Sequence, residues 1–531
     1  MSFLTIQNPS STIQNLRHRR TSMFTLKRLK ESRAARNAAA SYFAFFSIAG
    51  SAFLSIPVAV AYLEPAQIGL WTVVNQIVSY MLWMDLGVGG ATGRKMADAI
   101  AAKDQTEINR WWSATRFALF VQGVLVIIIG LTCLPYTLAV FEIPSNLLSD
   151  GRLLLLGAVV LVGLSFPMKG VPGLMTAQER FHWIPVIQGI APWISLVVFV
   201  YLLNLGYGLL SYLWGMGVSQ VFTWIAFSVL IRTSEQIPRW DSQGISKERF
   251  RSLFSFSLNL SGIALITAVM SSIPAVLISR GGGLAVIPIY NFTSRGPVMI
   301  SNLVQRMFHA FYPGLQRLYV DGRREAFRAK FVNVSFFAIS MSVIAAGAII
   351  AGTRPLVELL AGPDFFGGRT MTIWLAVGVI IVPLAAQFQS LRQIAGNMGK
   401  TLVFSVIKVA VAIAIAIPCY RHFGLAGIAA VFMLVPLIDA SYGYVRGATG
   451  CGFKPSEISR PITFTALLAM VVVLVVGWVA SLNQDIGPAF TIHKHVVHLP
   501  GWSEWICGGA LALIGLAGVH IQLKRMRRPD L

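Results

Sequence analysis

The sequence predicts an all-α polytopic membrane protein with about 14 transmembrane helices. Its 531 residues are 55% hydrophobic and only 12% charged, about half the charged fraction of a soluble protein. Fourteen apolar segments have roughly the length that a membrane crossing requires, about 20 residues. Basic residues are concentrated in every second connection between those segments, as the positive-inside rule requires. This composition excludes an ordinary soluble enzyme and a disordered chain.

Each predicted span is a stretch of mostly apolar residues bounded by polar or charged ones. Internal prolines such as Pro57, Pro274 and Pro383 are compatible with these spans, because neighbouring helices satisfy the freed carbonyls. In chain order the spans are 37–61, 68–88, 114–136, 153–168, 184–203, 209–231, 254–279, 284–303, 332–352, 370–388, 402–420, 426–445, 462–482 and 505–523.

The net charge of +22 predicts orientation rather than a nucleic-acid partner. With the N-terminus in the cytoplasm, 34 of the 43 Lys and Arg residues fall in cytoplasmic segments and six in the opposite ones. These cations are scattered over short segments and form no basic domain, so we expect no nucleic-acid partner. Both termini are expected to be cytoplasmic. The basic tail 1–36 contacts anionic lipids of the inner leaflet, or is a disordered topogenic segment.

An internal repeat with an offset of 217–218 residues predicts two lobes of six spans each. An even number of spans gives both lobes the same orientation, and two such lobes can enclose a cleft for an alternating-access carrier. We expect lobe one over 37–231, lobe two over 254–445 and an extra helix pair over 462–523, followed by a basic tail at 524–531. The matches are Ser55-Ile56-Pro57 with Ser272-Ile273-Pro274, Asp104, Glu107 and Arg110 with Asp321, Glu325 and Arg328, Ala177-Gln178-Glu179 with Ala395-Gly396-Asn397, and Leu205-Gly206 with Phe423-Gly424.

Arg295 is the main candidate for a substrate-binding residue. It lies about twelve residues into the eighth predicted span, too deep for its side chain to reach either membrane surface easily. Asn291 and Asn302 share its helical face by their spacing, and Ser294 adjoins it. A guanidinium can donate two parallel hydrogen bonds to a phosphate. The alternative is a structural ion pair or a carbonyl cap between helices.

Three further residues are candidates for the same cavity. Lys408 lies near one end of span 11 and either faces the cavity or extends to the surface; Asp439 is its possible partner. Asn75 occupies a position in lobe one comparable to that of Asn291. Arg280 lies beside a glycine-rich turn on the outer side, where it meets a diphosphate at the exit or simply faces water.

Several motifs resemble the Wzx-type polysaccharide or lipid-linked-oligosaccharide flippases of the MOP superfamily, which also contains MurJ and the MATE exporters. The resemblance implies two six-helix lobes in a V, residence in the bacterial cell inner membrane, and transport of a polyprenyl-diphosphate-linked glycan to its outer face. It also implies membrane lipids as neighbours and polysaccharide polymerase or copolymerase machinery as a possible partner. The motifs are Asp85-Leu86-Gly87-Val88-Gly89, Ala177-Gln178-Glu179-Arg180-Phe181, Pro355–Gly362 with Phe365-Phe366, Ala395–Lys400 and Gly424-Leu425-Ala426-Gly427.

Two other functions remain as alternatives. A MATE-type exporter of cationic small molecules needs carboxylates within its spans, and Asp439 is the one that we place there. A membrane-embedded polysaccharide polymerase or ligase needs a large outer loop with arranged catalytic groups, whereas the longest outer loop is 483–504. No P-loop pattern, metal-ligand spacing or catalytic constellation is present, so we expect no cofactor and no enzyme activity.

Overall fold

The computed structural model describes residues 33–526 except 86, 235, 310, 396–400, 454, 483–488, 493–494 and 499–501. Within these residues the fold is helical apart from one two-stranded hairpin. The helices of the first half are α1 Arg33–Tyr62, α2 Pro65–Trp83, α3 Val88–Ala101, α4 Gln105–Val140, α5 Leu148–Ser165, α6 Val171–Ala177, α7 Trp183–Asn204 and α8 Leu210–Arg232.

The second half contains seven helices in the described residues and is followed by an additional helix pair. Its helices are α9 Lys247–Gly282, α10 Ile287–His309, α11 Tyr312–Val320, α12 Arg324–Ala361, α13 Arg369–Ile394, α14 Thr401–Leu434 and α15 Pro436–Gly450, followed by α16 Pro455–Leu482, strands β1 Ala489–Ile492 and β2 His495–His498, and α17 Trp502–Met526. Short 3-10 turns occupy Ser145–Leu147, Phe166–Met168, Ser242–Gly244, Leu284–Val286 and Pro363–Phe365.

Every predicted span falls on a helix. Ten helices in the described part of the chain are long and apolar enough to cross a membrane. One of these apolar stretches, Val403–Gly450, joins α14 and α15 and is 48 residues long, more than twice the roughly 20 residues of one crossing. Helix α14 is also kinked at Gly424 (φ 56, ψ −138), so the stretch holds two predicted spans. The remaining three spans are α2, α9 and α10.

Two features of the helices recur between the two halves. In each half a short helix, α3 or α11, precedes a long one, α4 of 36 residues or α12 of 38. Gly206 (φ 84) and Gly424 (φ 56), which the repeat aligns, both adopt left-handed backbone conformations at a turn. The Gly396 and Asn397 positions of the third match lie outside the described residues.

Contacts between connecting segments agree with fourteen alternating crossings. We call the side on which α1 begins the α1 face and the other side the opposite face. On the α1 face, Arg180 donates to the Thr233 carbonyl and Arg249 pairs with Glu107 at 2.9 Å. On the opposite face, Arg369 pairs with Glu504 at 2.9 Å. Each contact joins segments that the alternation places on the same side.

The additional pair α16–α17 is attached to the second half. Helix α17 lies along α12, where the Gly347 and Gly508 backbones approach closely: a Cβ on Gly347 would lie 2.5 Å from the Gly508 carbonyl oxygen. On the opposite face, β1 and β2 form an antiparallel hairpin in which Ala489 is paired with His498. This hairpin lies within the segment 483–504, which we predicted to be the longest outer loop.

Candidate functional site

A cavity of about 1730 Å³ lies between the two halves. Helices α1, α2, α7 and α8 of the first half and α9, α10, α13, α14 and α15 of the second contribute to its walls. Small-molecule pockets usually measure about 300–1,000 Å³, so this cavity has room for a larger ligand.

Two predicted spans that are not among the ten apolar helices, α2 and α10, line the cavity, and the described part of α9 lies beside them. Helix α2 contributes Thr72, Asn75 and Gln76, and α9 contributes Thr267 and Ser271. Helix α10 contributes the longest polar series: Asn291, Ser294, Arg295, Asn302, Gln305 and Arg306. The lower hydropathy of α2 and α10 therefore has a structural cause, because their polar residues face the cavity rather than lipid.

Arg295 lies on the cavity wall of α10 and is partly buried. Tyr212 of α8 lines the same cavity. Among the side chains that the structure describes, no carboxylate lies within 4.0 Å of the Arg295 guanidinium. Asn291, one turn earlier, also lines the cavity, and its buried Nδ2 has no hydrogen-bond partner. Within the described part of the chain, the cavity therefore presents a cation without a carboxylate partner and an amide donor without an acceptor.

Six of the seven predicted site residues line this cavity. They come from three helices that are distant in sequence, and they are Asn75, Asn291, Ser294, Arg295, Asn302 and Lys408.

Arg280 departs from the expectation because it does not line the cavity. It lies at the opposite face, where its Nε donates to the Val140 carbonyl at 3.1 Å and lies 3.8 Å from a Glu142 carboxylate oxygen. The glycine-rich turn that follows α9 holds it against the end of α4. Arg280 thus joins the two halves of the chain on that side.

Lys408 forms an ion pair inside the cavity. Its Nζ lies 2.5 Å from an Asp439 carboxylate oxygen, and Lys408 is only 7% exposed. The adjacency of α14 and α15 brings the two residues together, as we considered from the sequence. Both residues line the cavity, but the Asp439 side chain is more accessible, at 34%.

Arg306 is a cavity residue that the sequence reasoning missed. We counted it among loop cations, whereas α10 continues to His309 and keeps Arg306 within the helix. It lies eleven residues after Arg295, about three turns, and hence on the same face. Its guanidinium lies over the Phe45 ring of α1, 4.7 Å from the centroid. The eleven-residue spacing was the signal available in the sequence.

Aromatic side chains line the cavity beside Arg295. The rings of Trp71 and Tyr212 are stacked with centroids 4.3 Å apart, and Tyr212 stacks on Phe199 at 4.0 Å. Trp71 and Tyr212 line the cavity, whereas Phe199 is buried behind them. These stacked rings form a flat, rigid wall next to the cation.

Toward the opposite face, the two halves meet in a tight backbone contact. Gly69, in the first turn of α2, packs against the turn Leu284–Val286 that connects α9 to α10. A Cβ on Gly69 would lie 2.0 Å from the Leu284 carbonyl oxygen, so only glycine permits this approach.

Two further buried carboxylates lie outside the cavity and outside the predicted spans. Glu358 pairs with Arg354 at 2.8 Å, and Glu504 pairs with Arg369 at 2.9 Å. Both pairs lie near the opposite face. The described residues contain no group of three or more His, Cys, Asp or Glu side chains that could hold a metal ion.

Solved structures of membrane transporters share this fold. The chain is similar to a lipid II flippase MurJ in an inward closed conformation, with 12% identity over 93% of this chain and 99% of that one and a TM-score of 0.66. It is also similar to an inward-facing multidrug resistance MATE family transporter of the MOP superfamily, with 17% identity over 76% and 94% and a TM-score of 0.62. A Vibrio cholerae MATE transporter gives 13% identity over 82% and 99% and a TM-score of 0.55.

No curated protein matches the chain. The model of the polysaccharide biosynthesis protein family matches residues 34–319, more than half of the sequence. Together with the MOP-type fold, this match confirms the resemblance drawn from the motifs. The chain belongs to the polysaccharide biosynthesis protein family.

Proposed function

We propose that the protein is an alternating-access flippase that moves a polyprenyl-diphosphate-linked glycan from the cytoplasmic to the outer face of the bacterial inner membrane. The product would enter synthesis of a cell-surface polysaccharide: an exopolysaccharide, a capsule or an O-antigen. Family membership and the MOP-type fold support a carrier over an enzyme. The similar MurJ structure is that of a lipid II flippase, which supports a lipid-linked head group as cargo.

The observation that carries this proposal is the Arg295 guanidinium in the central cavity. Burying a cation in a membrane protein is costly unless an anion compensates it. The described side chains supply no such anion, so the substrate is the natural candidate. A diphosphate accepts the parallel hydrogen bonds that guanidinium donates, and each charge-assisted bond contributes about 1.5–3 kcal/mol.

The rest of the cavity suits the glycan part of this substrate. Asn75, Asn291 and Asn302 offer amide donors and acceptors for sugar hydroxyls. The stacked rings of Trp71 and Tyr212 provide an apolar face for the C–H side of a sugar ring. The lipid tail would remain in the bilayer while the head group occupies the cavity.

A MATE-type export of cationic molecules is less well supported by the cavity charges. Among the described lining residues, Arg295, Arg306 and Lys408 are cationic and Asp439 is the one carboxylate. That carboxylate is already paired with Lys408. The remaining positive charge repels a cationic ligand and attracts an anionic one.

The test uses a strain lacking the gene, complemented with variants at equal protein level. Arg295→Ala should abolish surface glycan and leave lipid-linked repeat units on the inner face of the membrane. Arg116→Ala is the matched control: Arg116 lies in the third span but outside the cavity lining, beside the Trp112 ring at 5.8 Å. Normal surface glycan with Arg295→Ala would refute the role of Arg295. Repeat units trapped on the outer face would instead indicate a polymerase or ligase.

A further inference from the structure

In the Lys408–Asp439 pair, the carboxylate neutralises the ammonium charge of Lys408 before any substrate binds. Lys408 comes from α14 and Asp439 from α15, and both line the cavity. The 2.5 Å separation is that of a direct charge-assisted hydrogen bond. An anion approaching Lys408 therefore meets a site whose counter-ion is already in place.

A second cation makes this cluster positive overall. Arg392 of α13 is 5% exposed, lies over the Tyr442 ring at 5.2 Å, and interacts electrostatically with Asp439. Its buried Nε has no hydrogen-bond partner. Arg392 thus adds a second positive charge near the pair, while Lys408 is the cation in direct contact with Asp439. Such a cluster retains attraction for a further anion when the carboxylate moves away.

Asp439 is the more accessible member of the pair. Its side chain is 34% exposed, compared with 8% for that of Lys408. It also lies only three residues into α15, next to the helix start at Pro436. The geometry favours movement of the carboxylate toward the cavity while the more buried ammonium stays in place.

We propose that Asp439 is an internal competitor that limits how tightly an anionic substrate group binds at Lys408. The incoming phosphate or acidic sugar displaces the Asp439 carboxylate from the Lys408 ammonium. On the other side of the membrane the carboxylate returns and helps to expel the ligand. This inference rests on the proposed function, since it assigns a specificity-determining residue within the same cavity. This competition explains how a cationic cavity releases a strongly charged substrate, because a carrier that bound the substrate too tightly would not release it.

The test measures binding of a short-chain polyprenyl diphosphate to the full-length protein in lipid nanodiscs. Asp439→Asn should bind this probe about tenfold more tightly than the wild type, and should transport lipid-linked glycan more slowly. The matched control is Glu504→Gln, which removes a carboxylate from another buried ion pair outside the cavity and should leave affinity unchanged. Equal affinity of Asp439→Asn and wild type would overturn the inference.

A double-mutant cycle guards against an unfolded or rearranged variant. In the Lys408→Met background, Asp439→Asn should give no gain in affinity, because the site for which the carboxylate competes is gone. A tenfold gain that persists in this background would also overturn the inference. Failure of the proposed function would differ from both results: the wild type would not bind the probe, or Arg295→Ala would bind it equally well.

Discussion

The contact between Gly69 and Leu284 predicts that a single methyl group opens the opposite face of the cavity. The Cβ of Gly69→Ala would lie 2.0 Å from the Leu284 carbonyl oxygen, whereas ordinary contact begins at 3.4 Å. The two segments must therefore separate by about 1.4 Å. Because the obstructing atom belongs to the backbone, no side-chain rotation relieves the clash.

The expected energy follows from the cost of overpacking, about 1–3 kcal/mol. If this cost falls on the closed arrangement alone, the ratio of closed to open molecules drops about 5- to 150-fold. The variant should remain folded, because the strain is released by separation of the two halves rather than by loss of a core residue. Gly90→Ala is the control, since a Cβ there meets nothing within 4 Å.

The assay is labelling of a cavity cysteine with a membrane-impermeant maleimide added outside intact cells. Thr72→Cys, in a protein whose native cysteines are replaced by alanine, places the reporter on the cavity wall one turn from Gly69. Labelling should be at least several-fold faster with Gly69→Ala than with Gly90→Ala. Equal labelling rates at equal protein levels would refute the claim that this contact closes the cavity.

Three further outcomes follow from other contacts. Arg280→Ala should destabilise the closed arrangement by no more than about 1 kcal/mol, because the pair of Arg280 with Glu142 is exposed. The same labelling assay measures this effect, and a larger effect than that of Gly69→Ala would contradict the expectation. Glu504→Gln should lower the melting temperature in detergent, because it removes the negative charge that faces Arg369. An unchanged melting temperature would show that this ion pair does not anchor α17. Burial raises the pKa of the Cys451 thiol to about 11, so the reactive thiolate forms only at high pH. The rate of alkylation should therefore be low at pH 7.5 and should rise as the pH approaches 11. Rapid labelling at neutral pH would show that the thiol is accessible and that its pKa is not raised.

The class of fold was predictable because membrane crossings depend on local composition. A run of apolar residues and the alternation of basic connections require no knowledge of tertiary contacts. Even α10, which is not among the most apolar helices, was identified, because its neighbours in the chain fix the number of crossings. The hairpin β1–β2 was not predicted, since its short strands have no long hydrophobic or alternating pattern around them.

The cavity was predictable only where one helix supplied the evidence. Arg295, Asn291 and Asn302 share a face of α10, so their spacing was sufficient. Arg306 belongs to the same face but was assigned to a loop, because the end of a helix is the least certain part of a sequence-based prediction.

Contacts between distant segments lay beyond the sequence. The close approach at Gly69, where a Cβ would lie 2.0 Å from the Leu284 carbonyl oxygen, involves a turn more than two hundred residues away. No local sequence pattern distinguishes Gly69 from the other glycines in the chain. The position of Arg280 depends in the same way on the end of α4. The pairing of Lys408 with Asp439 was a conditional expectation, because it required α14 and α15 to be adjacent.

The most direct test of the account is a translocation measurement with purified protein in proteoliposomes. A fluorescent polyprenyl-diphosphate-linked oligosaccharide is placed in one leaflet, and its appearance in the other leaflet is followed with a membrane-impermeant glycosidase. The account predicts translocation by the wild type and by Arg116→Ala, and only the protein-free rate with Arg295→Ala. A wild-type protein that leaves this lipid in its original leaflet, or an Arg295→Ala variant that translocates it at the wild-type rate, would contradict the account.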